Sequence, residues 1–319
     1  MPDTETIKST TAMSFNCPNY SGALYTRSNI ETPFLNAIGA PLYTKSVEFL
    51  TSQDYALEDP SQPEISEVQS VKGVDATFIT RSQETNVTQI FQEAVSVSYA
   101  KQSNMGTLSG INITGQRADP TDELQFQKAA KMRKIANSIE YTFINGVYNK
   151  ATADDVANKT RGILSAITTN AITETNKVGA SIMRSAINSL LKKMYDSGVS
   201  PDGDTVFVNS AIAAAITEAF TGSNSLYPNG VTTAGAAIRG LMTDFGTVNI
   251  ILARTIPQNV LLCAKTEAIH PVEQITPNKG NFFYEDKPST GAAYNGMIFG
   301  QIGLDYGVEY LHGKVVFAE

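Results

Sequence analysis

Between Leu42 and Arg81 about 40 residues pass with little to bury: LYTKSVEFLTSQDYALEDPSQPEISEVQSVKGVDATFITR. The stretch holds two prolines, one glycine and a single alternating run, Val74-Asp75-Ala76-Thr77-Phe78. It reads as an extended two-stranded excursion. A compact domain rarely carries that much chain without a core unless the segment has a task. A lone hairpin is marginal in water and offers open edges, so this one is expected to lie on a partner.

The rest of the chain is patterned for burial. With 42% hydrophobic and 17% charged residues over 319 positions it is a folded protein with room for one large or two ordinary domains. Residues 1 to about 30, rich in Ser, Thr and Asn, suit an arm ordered only against something else. Glu31–Gly39 is a short helical turn, with Pro33 at its start and Gly39 at its stop. Asn86–Ala100 is the cleanest strand.

Asp122–Lys150 is the longest helix signal, its start marked by Asp119-Pro120-Thr121-Asp122. Met132, Ile135, Ile139, Phe143 and Val147 recur at spacings of three and four and predict one apolar face. Lys128, Lys131, Arg133 and Lys134 cluster on the remaining surface. At about 1.5 Å per residue the helix is a rod of about 40 Å. Farther on, Ala180–Gly198 predicts an amphipathic helix stopped by Gly198. Asp204–Phe220 predicts a buried strand entering an Ala-rich helix, and Gly246–Lys265 two more apolar strands around Pro257. These pieces suit an α/β subdomain. Ahead of it, Arg161-Gly162-Ile163-Leu164 is a short apolar turn, and the C-terminal part reads as a β meander with His312-Gly313 in a hairpin turn.

No catalytic, cofactor-binding or metal-binding set emerges. The two histidines, His270 and His312, lack metal-ligand spacing and suit structural or surface roles. Adjacent acids such as Asp154-Asp155 do not converge on a substrate, and no phosphate-cradling or nucleophile motif is present. Cys17 and Cys263 are far apart in the chain. A net charge of −7 argues against a surface built to neutralise phosphates. No apolar window reaches the roughly 20 residues of a membrane helix, and no signal peptide is visible, so a soluble cytoplasmic origin is expected. An arm, a coreless excursion and a rod helix make sense together when neighbouring copies cover them. The expectation is a self-assembling structural protein.

The order of these elements resembles the tailed-bacteriophage major capsid proteins of the Hong Kong 97 type. The resemblance rests on Thr32-Pro33-Phe34-Leu35-Asn36-Ala37-Ile38-Gly39, Asn86-Val87-Thr88-Gln89-Ile90-Phe91 and the rod helix. It continues in Arg161-Gly162-Ile163-Leu164-Ser165, Val206-Phe207-Val208-Asn209-Ser210, Tyr306-Gly307-Val308-Glu309 and His312-Gly313-Lys314-Val315.

It implies an α+β Hong Kong 97-like fold in five parts. Residues 1–41 would be an N-terminal arm and 42–85 an extended β-hairpin loop over a neighbouring subunit. A peripheral domain at 86–179 would hold the spine helix at 121–149, followed by an axial α/β domain at 180–270. Strands at 271–319 would return to the peripheral domain. It further implies a major head protein that self-assembles, as pentamers and hexamers, into an icosahedral virion shell around double-stranded DNA. Assembly would take place in the bacterial cytoplasm. Portal, scaffolding and decoration proteins would be partners, and no membrane is implied. Glu58, Asp59, Glu64, Glu67, Lys72 and Arg81 become candidates for intersubunit ion pairs, which set register more than affinity. No lysine, asparagine and acid stand out as a crosslinking set. Competing expectations are an encapsulin-like nanocompartment, a tail or baseplate protein, and an α/β enzyme, the last lacking convergent titratable groups.

Overall fold

A computed structural model describes residues 31–55, 57, 60–73, 76–100, 123–220, 240–288 and 291–318. The chain forms two interleaved compact units. One comprises Met1–Glu31, Phe91–Ile139 and Asn278–Gly300, and the other Thr32–Ile90, Glu140–Pro277 and Gln301–Glu319. Residues 1–30 of the expected arm and the capping residues Asp119–Asp122 lie outside the described residues.

The strands, in chain order, are β1 (Leu42–Thr44), β2 (Glu48–Tyr55), β3 (Arg81–Val87), β4 (Gln89–Ser98), β5 (Ala171–Lys177), β6 (Thr205–Val208) and β7 (Gly240–Thr243). They continue with β8 (Gly246–Leu252), β9 (Val260–Ala264), β10 (His270–Gln274), β11 (Phe283–Lys287), β12 (Ala293–Asp305) and β13 (Gly313–Ala318). The described α-helices are α1 (Pro33–Ala37), α2 (Glu67–Lys72), α3 (Glu123–Asn145), α4 (Ile163–Ala166), α5 (Ala180–Asp196) and α6 (Ser210–Phe220).

In the first unit β12 pairs antiparallel with β11, from Phe283↔Phe299 to Lys287↔Asn295, and also pairs with β4. The rings of Phe283 and Phe299 meet at 5.8 Å. The N-terminal part of α3 contacts this unit through its basic residues. Lys131 Nζ lies 2.9 Å from Glu93 on β4, Lys134 pairs with the same carboxylate, and Lys128 sits 3.7 Å above the Tyr284 ring. The lysines expected to face outward are thus largely engaged within the subunit. The two ammonium groups hold the Glu93 carboxyl below its usual range although partial burial works the other way.

The second unit is built on a six-stranded sheet of order β5-β13-β9-β6-β8-β7. Strand alternation sorts its residues onto two faces. Val206, Val208, Ile250, Leu261, Cys263, Val315 and Phe317 form one buried cluster with α5 and α6. From α5 come Met183, Ile187, Leu190, Leu191 and Met194, a stripe at helical spacing; Ile212, Ile216 and Phe220 come from α6. Phe207, between Val206 and Val208, meets Phe34 of α1 edge-on, with centroids 5.2 Å apart.

Near the buried end of α3, Glu140 is 0% exposed. Its Oε1 accepts from Thr255 Oγ1 at 3.0 Å. Burial raises its pKa, opposed by Thr255 and by the first amides of α1, those of Leu35 and Phe34. The start of α1 has no Thr32 side-chain cap, and among the described residues Glu140 Oε2 has no hydrogen-bond partner.

Helix α3 ends at Asn145, short of the expected 149, because its next residue is pressed against other backbone. A Cβ on Gly146 would lie 2.6 Å from Thr160 O, and Gly162 N donates to Gly146 O at 3.0 Å. Ile135, Ile139 and Phe143 are buried, together with Ile144. Met132 and Val147 correct the expected apolar face: they are 41% and 71% exposed. Val147 lies beyond the glycine crossing, and the turns around Met132 make their contacts through lysines.

His312 is also corrected, being fully buried at the start of β13 rather than in an exposed hairpin. Its Nδ1 accepts from the Lys265 amide at 3.2 Å, so Nε2 carries the hydrogen and donates to Tyr306 O at 2.7 Å. Burial lowers its pKa to about 4. Nor do the last strands form a meander. After β12 the chain turns at Gly307, whose φ is +63°, and β13 inserts between β5 and β9.

Asp204, just before β6, is 2% exposed and its Oδ2 has no hydrogen-bond partner. Burial, aided by Asp202 and Glu267 and opposed by Lys265, raises its pKa to about 6. A raised carboxyl pKa means that folding favours the protonated form. Its cost is absent below about pH 4 and fully present above about pH 6.

Two outcomes are expected. Ile139→Asp, which puts a charge on the buried face of α3, should cost more than about 3 kcal/mol in denaturant melts. A wild-type midpoint would show that this face is not packed. Asp204→Asn should raise thermal stability at pH 7–8 by up to about 3 kcal/mol. That gain should vanish near pH 4, and a gain independent of pH would contradict the assignment.

Candidate assembly surface

The coreless stretch becomes a two-stranded ribbon with a helical tip. Strands β2 and β3 pair antiparallel from Glu48↔Val87 to Tyr55↔Arg81, with a bulge between Leu50 and Ser52. Val74 and Asp75 of the expected strand run lie outside the described residues; residues 76–80 are irregular, and the pairing strand begins at Arg81. Sequence reading missed α2 in the tip, although Ser66-x-x-Gln69 is a capping-box pattern. Gln69 N donates to Ser66 Oγ at 3.3 Å, and Ser66 N donates to Gln69 Oε1 at 2.9 Å.

The ribbon's root is tied down by polar contacts. Asn86 is 0% exposed; its Nδ2 donates to Leu304 O at 2.8 Å, and its Oδ1 accepts from the Arg161 amide at 2.8 Å. Thr88 Oγ1 donates to Gln274 Oε1 at 2.7 Å. Lys150 Nζ meets Glu48 Oε2 at 2.6 Å; its hydrogen bond, then that of Thr85, lowers the Glu48 pKa. This surface pair fixes geometry more than it adds stability. No single-chain pattern announces these partners, since Asn86 and Leu304 lie more than two hundred positions apart.

The tip is uncovered. Phe78 is 92% exposed and Val71 84%, and Leu57, Ile65, Val68 and Ile79 are also exposed. On α2, Val68 and Val71 sit three residues apart and share a face. A tip of this apolar content on a narrow ribbon is the kind of exposed patch that marks a protein contact. Beside it, Gln53, Asp54, Tyr55 and Leu57 face Ser197, Gly198 and Tyr310 across an open depression of about 550 Å³.

The charged candidates are placed as follows. Glu58 and Asp59 lie outside the described residues. Glu64, Glu67, Lys72 and Arg81 are exposed, and among the described residues none of the four forms an ion pair. Glu67 and Lys72 occupy the first and last turns of α2, where each suits the helix dipole. His270 lies elsewhere, its Nδ1–H donating to Ala40 O at 3.0 Å.

Three solved shells share this architecture. The capsid of a native GTA particle matches with a TM-score of 0.64 at 11% identity, covering 100% of both chains. The SrpI encapsulin of Synechococcus elongatus PCC 7942 matches at 0.59 and 10% identity, covering 94% of this chain and 91% of that one. The capsid of cyanophage P-SCSP1u matches at 0.58 and 8% identity, covering 94% and 92%. Identities this low establish the fold, the Hong Kong 97-like capsid fold, and no more. No curated protein sequence matches the chain. The family model described as SU10 major capsid protein matches residues 6–318, nearly the whole length. The chain therefore belongs to the SU10 major capsid protein family.

Proposed function

We propose that this major capsid protein builds its shell by laying the ribbon of each subunit over a neighbour, so that the apolar tip is buried only on assembly. The observation that supports this most directly is the exposure of Phe78, Val71 and Val68 at the end of a two-stranded ribbon without a core. Each such contact is modest alone; a closed shell multiplies them, as multivalent binding requires. Glu64, Glu67, Lys72 and Arg81, together with Glu58 and Asp59, would set the register of that contact.

Within the shell we assign residues 1–41 to an arm, 42–85 to the loop, 86–179 to a peripheral domain, 180–270 to an axial domain whose sheet also takes in β5 and β13, and the other strands of 271–319 to the part that returns. The axial domain would meet its symmetry mates in pentamers and hexamers. The enclosed ligand is double-stranded DNA, held without sequence preference by a protein whose net charge of −7 keeps adhesion weak. The subunit has a structural and not a catalytic role. Assembly in the bacterial host would involve separate portal and scaffolding proteins, with decoration proteins as further partners. The likeness to an encapsulin supports one second reading, a compartment loaded with protein cargo. Nucleic acid inside purified shells favours the phage head, and protein cargo the compartment.

Replacing residues 57–79 by a short Gly-Ser turn should leave a soluble, folded subunit that forms no closed shells by electron microscopy. Normal shells from that variant would refute the assignment of the ribbon.

A further inference from the structure

One buried hydroxyl holds the ribbon by a residue that is itself tied to both strands. Tyr306, 0% exposed just after β12, donates its hydroxyl hydrogen to Glu84 Oε2 on β3 at 3.0 Å and accepts from Arg161 Nη1 at 3.2 Å. Thr51, on the opposite strand, donates Oγ1 to Glu84 O at 3.1 Å. Arg161 is itself fixed, its guanidinium over the Tyr148 ring at 4.8 Å and its amide on Asn86. Its charge lies 3.7 Å from Glu84 Oε2.

Among the described residues, this level is where the ribbon's side-chain bonds to the rest of the subunit stop. Toward the root, Asn86, Thr88 and Glu48 are all bonded to other segments. Toward the tip, Gln53↔Gln83, Asp54↔Ser82 and Tyr55↔Arg81 follow. The side-chain bond found there, Ser82 to Asp54, runs only across the ribbon. The last anchored level coincides with the bulge at Thr51, and a bulge bends its strand and raises the local twist. Fixed backbone below, a bend at the boundary and free backbone above describe a lever with a defined fulcrum.

We propose that Tyr306 is the positioning residue of the assembly loop: its hydroxyl, acting through Glu84 and Thr51, fixes the direction in which the ribbon leaves the subunit, and the Thr51 bulge is the hinge. This rests on reading the ribbon as an intersubunit loop. The phenol is suited to the task because its ring is locked in the core while its oxygen holds Glu84, whose carbonyl Thr51 ties to the opposite strand. A small angular error at this level becomes a large displacement at Phe78 and Val71, so the bond governs whether the tip meets its target.

Tyr306→Phe removes the oxygen and keeps the ring. In hydrogen exchange on the soluble subunit, amides of Thr51–Tyr55 and Arg81–Thr85 should exchange about fivefold faster, the effect of losing one hydrogen bond. Exchange in β6 and β9 and the thermal midpoint should stay unchanged, while closed shells become fewer or irregular. Glu84→Gln, whose amide oxygen still accepts from the phenol, should loosen the ribbon less. The double variant should match Tyr306→Phe, since both act through one bond. Unchanged ribbon exchange, exchange rising equally in β6 and β9, or normal shells despite a loosened ribbon would each overturn the proposal. Failure of the wild-type protein to form any shell would instead overturn the assembly reading on which it rests.

Discussion

A two-stranded ribbon cannot shelter its own side chains, and that constraint organises the molecule. Among the described residues neither edge of β2–β3 is extended by a third strand, and the tip carries Phe78, Val71 and Val68 into solvent. Hydrophobic burial is worth about 25 cal/mol per Å², so leaving such a tip bare forfeits free energy that a partner can recover. The rest of the chain looks like a platform for this exposed element. Its root is held by polar bonds to segments from residue 150 to residue 304, and those segments belong to a densely buried unit. Rigidity at the root makes exposure at the tip useful: a floppy ribbon would lose on binding the ordering entropy that an anchored one has already given up.

The same unit contains polar groups placed at some cost. Glu140 is buried with one oxygen on Thr255, and His312 is kept neutral by burial while joining Lys265 to Tyr306. Among the described residues Glu140 Oε2 and Asp204 Oδ2 have no hydrogen-bond partner, and the charge of Asp204 is resisted near neutral pH. His312 closes the hydrogen-bonding needs of a turn that the strands leave open. Asp204 lowers stability near neutral pH, and the structure shows no gain that offsets it.

Much of the framework could be read from local pattern. The stripe of α5, the continuous apolar runs of β6 and β9 and the rod of α3 follow from spacings within one element, and local spacing is what a single sequence displays. What escaped depends on distant pairs. The end of α3 is set by Gly146 meeting Gly162, so Val147 could not be recognised as lying outside the helix. The lysines of α3 looked like an outward face because nothing local announces Glu93. His312 resembled a turn residue until Tyr306 and Lys265 closed around it. The α2 capping box was legible and overlooked, since the surrounding prolines and acids favoured an extended reading. At the candidate surface, the absence of a core was visible from composition; its anchors, Asn86 on Leu304 and Tyr306 on Glu84, were not.

Electron cryo-microscopy of shells assembled from the purified protein bears most directly on the claim that the ribbon tip is covered only by another copy. The expected map is a closed icosahedral shell in which Val68, Val71 and Phe78 of each subunit are buried against a neighbour. Shells in which the tip remains in solvent, or folds back onto its own subunit, would contradict it.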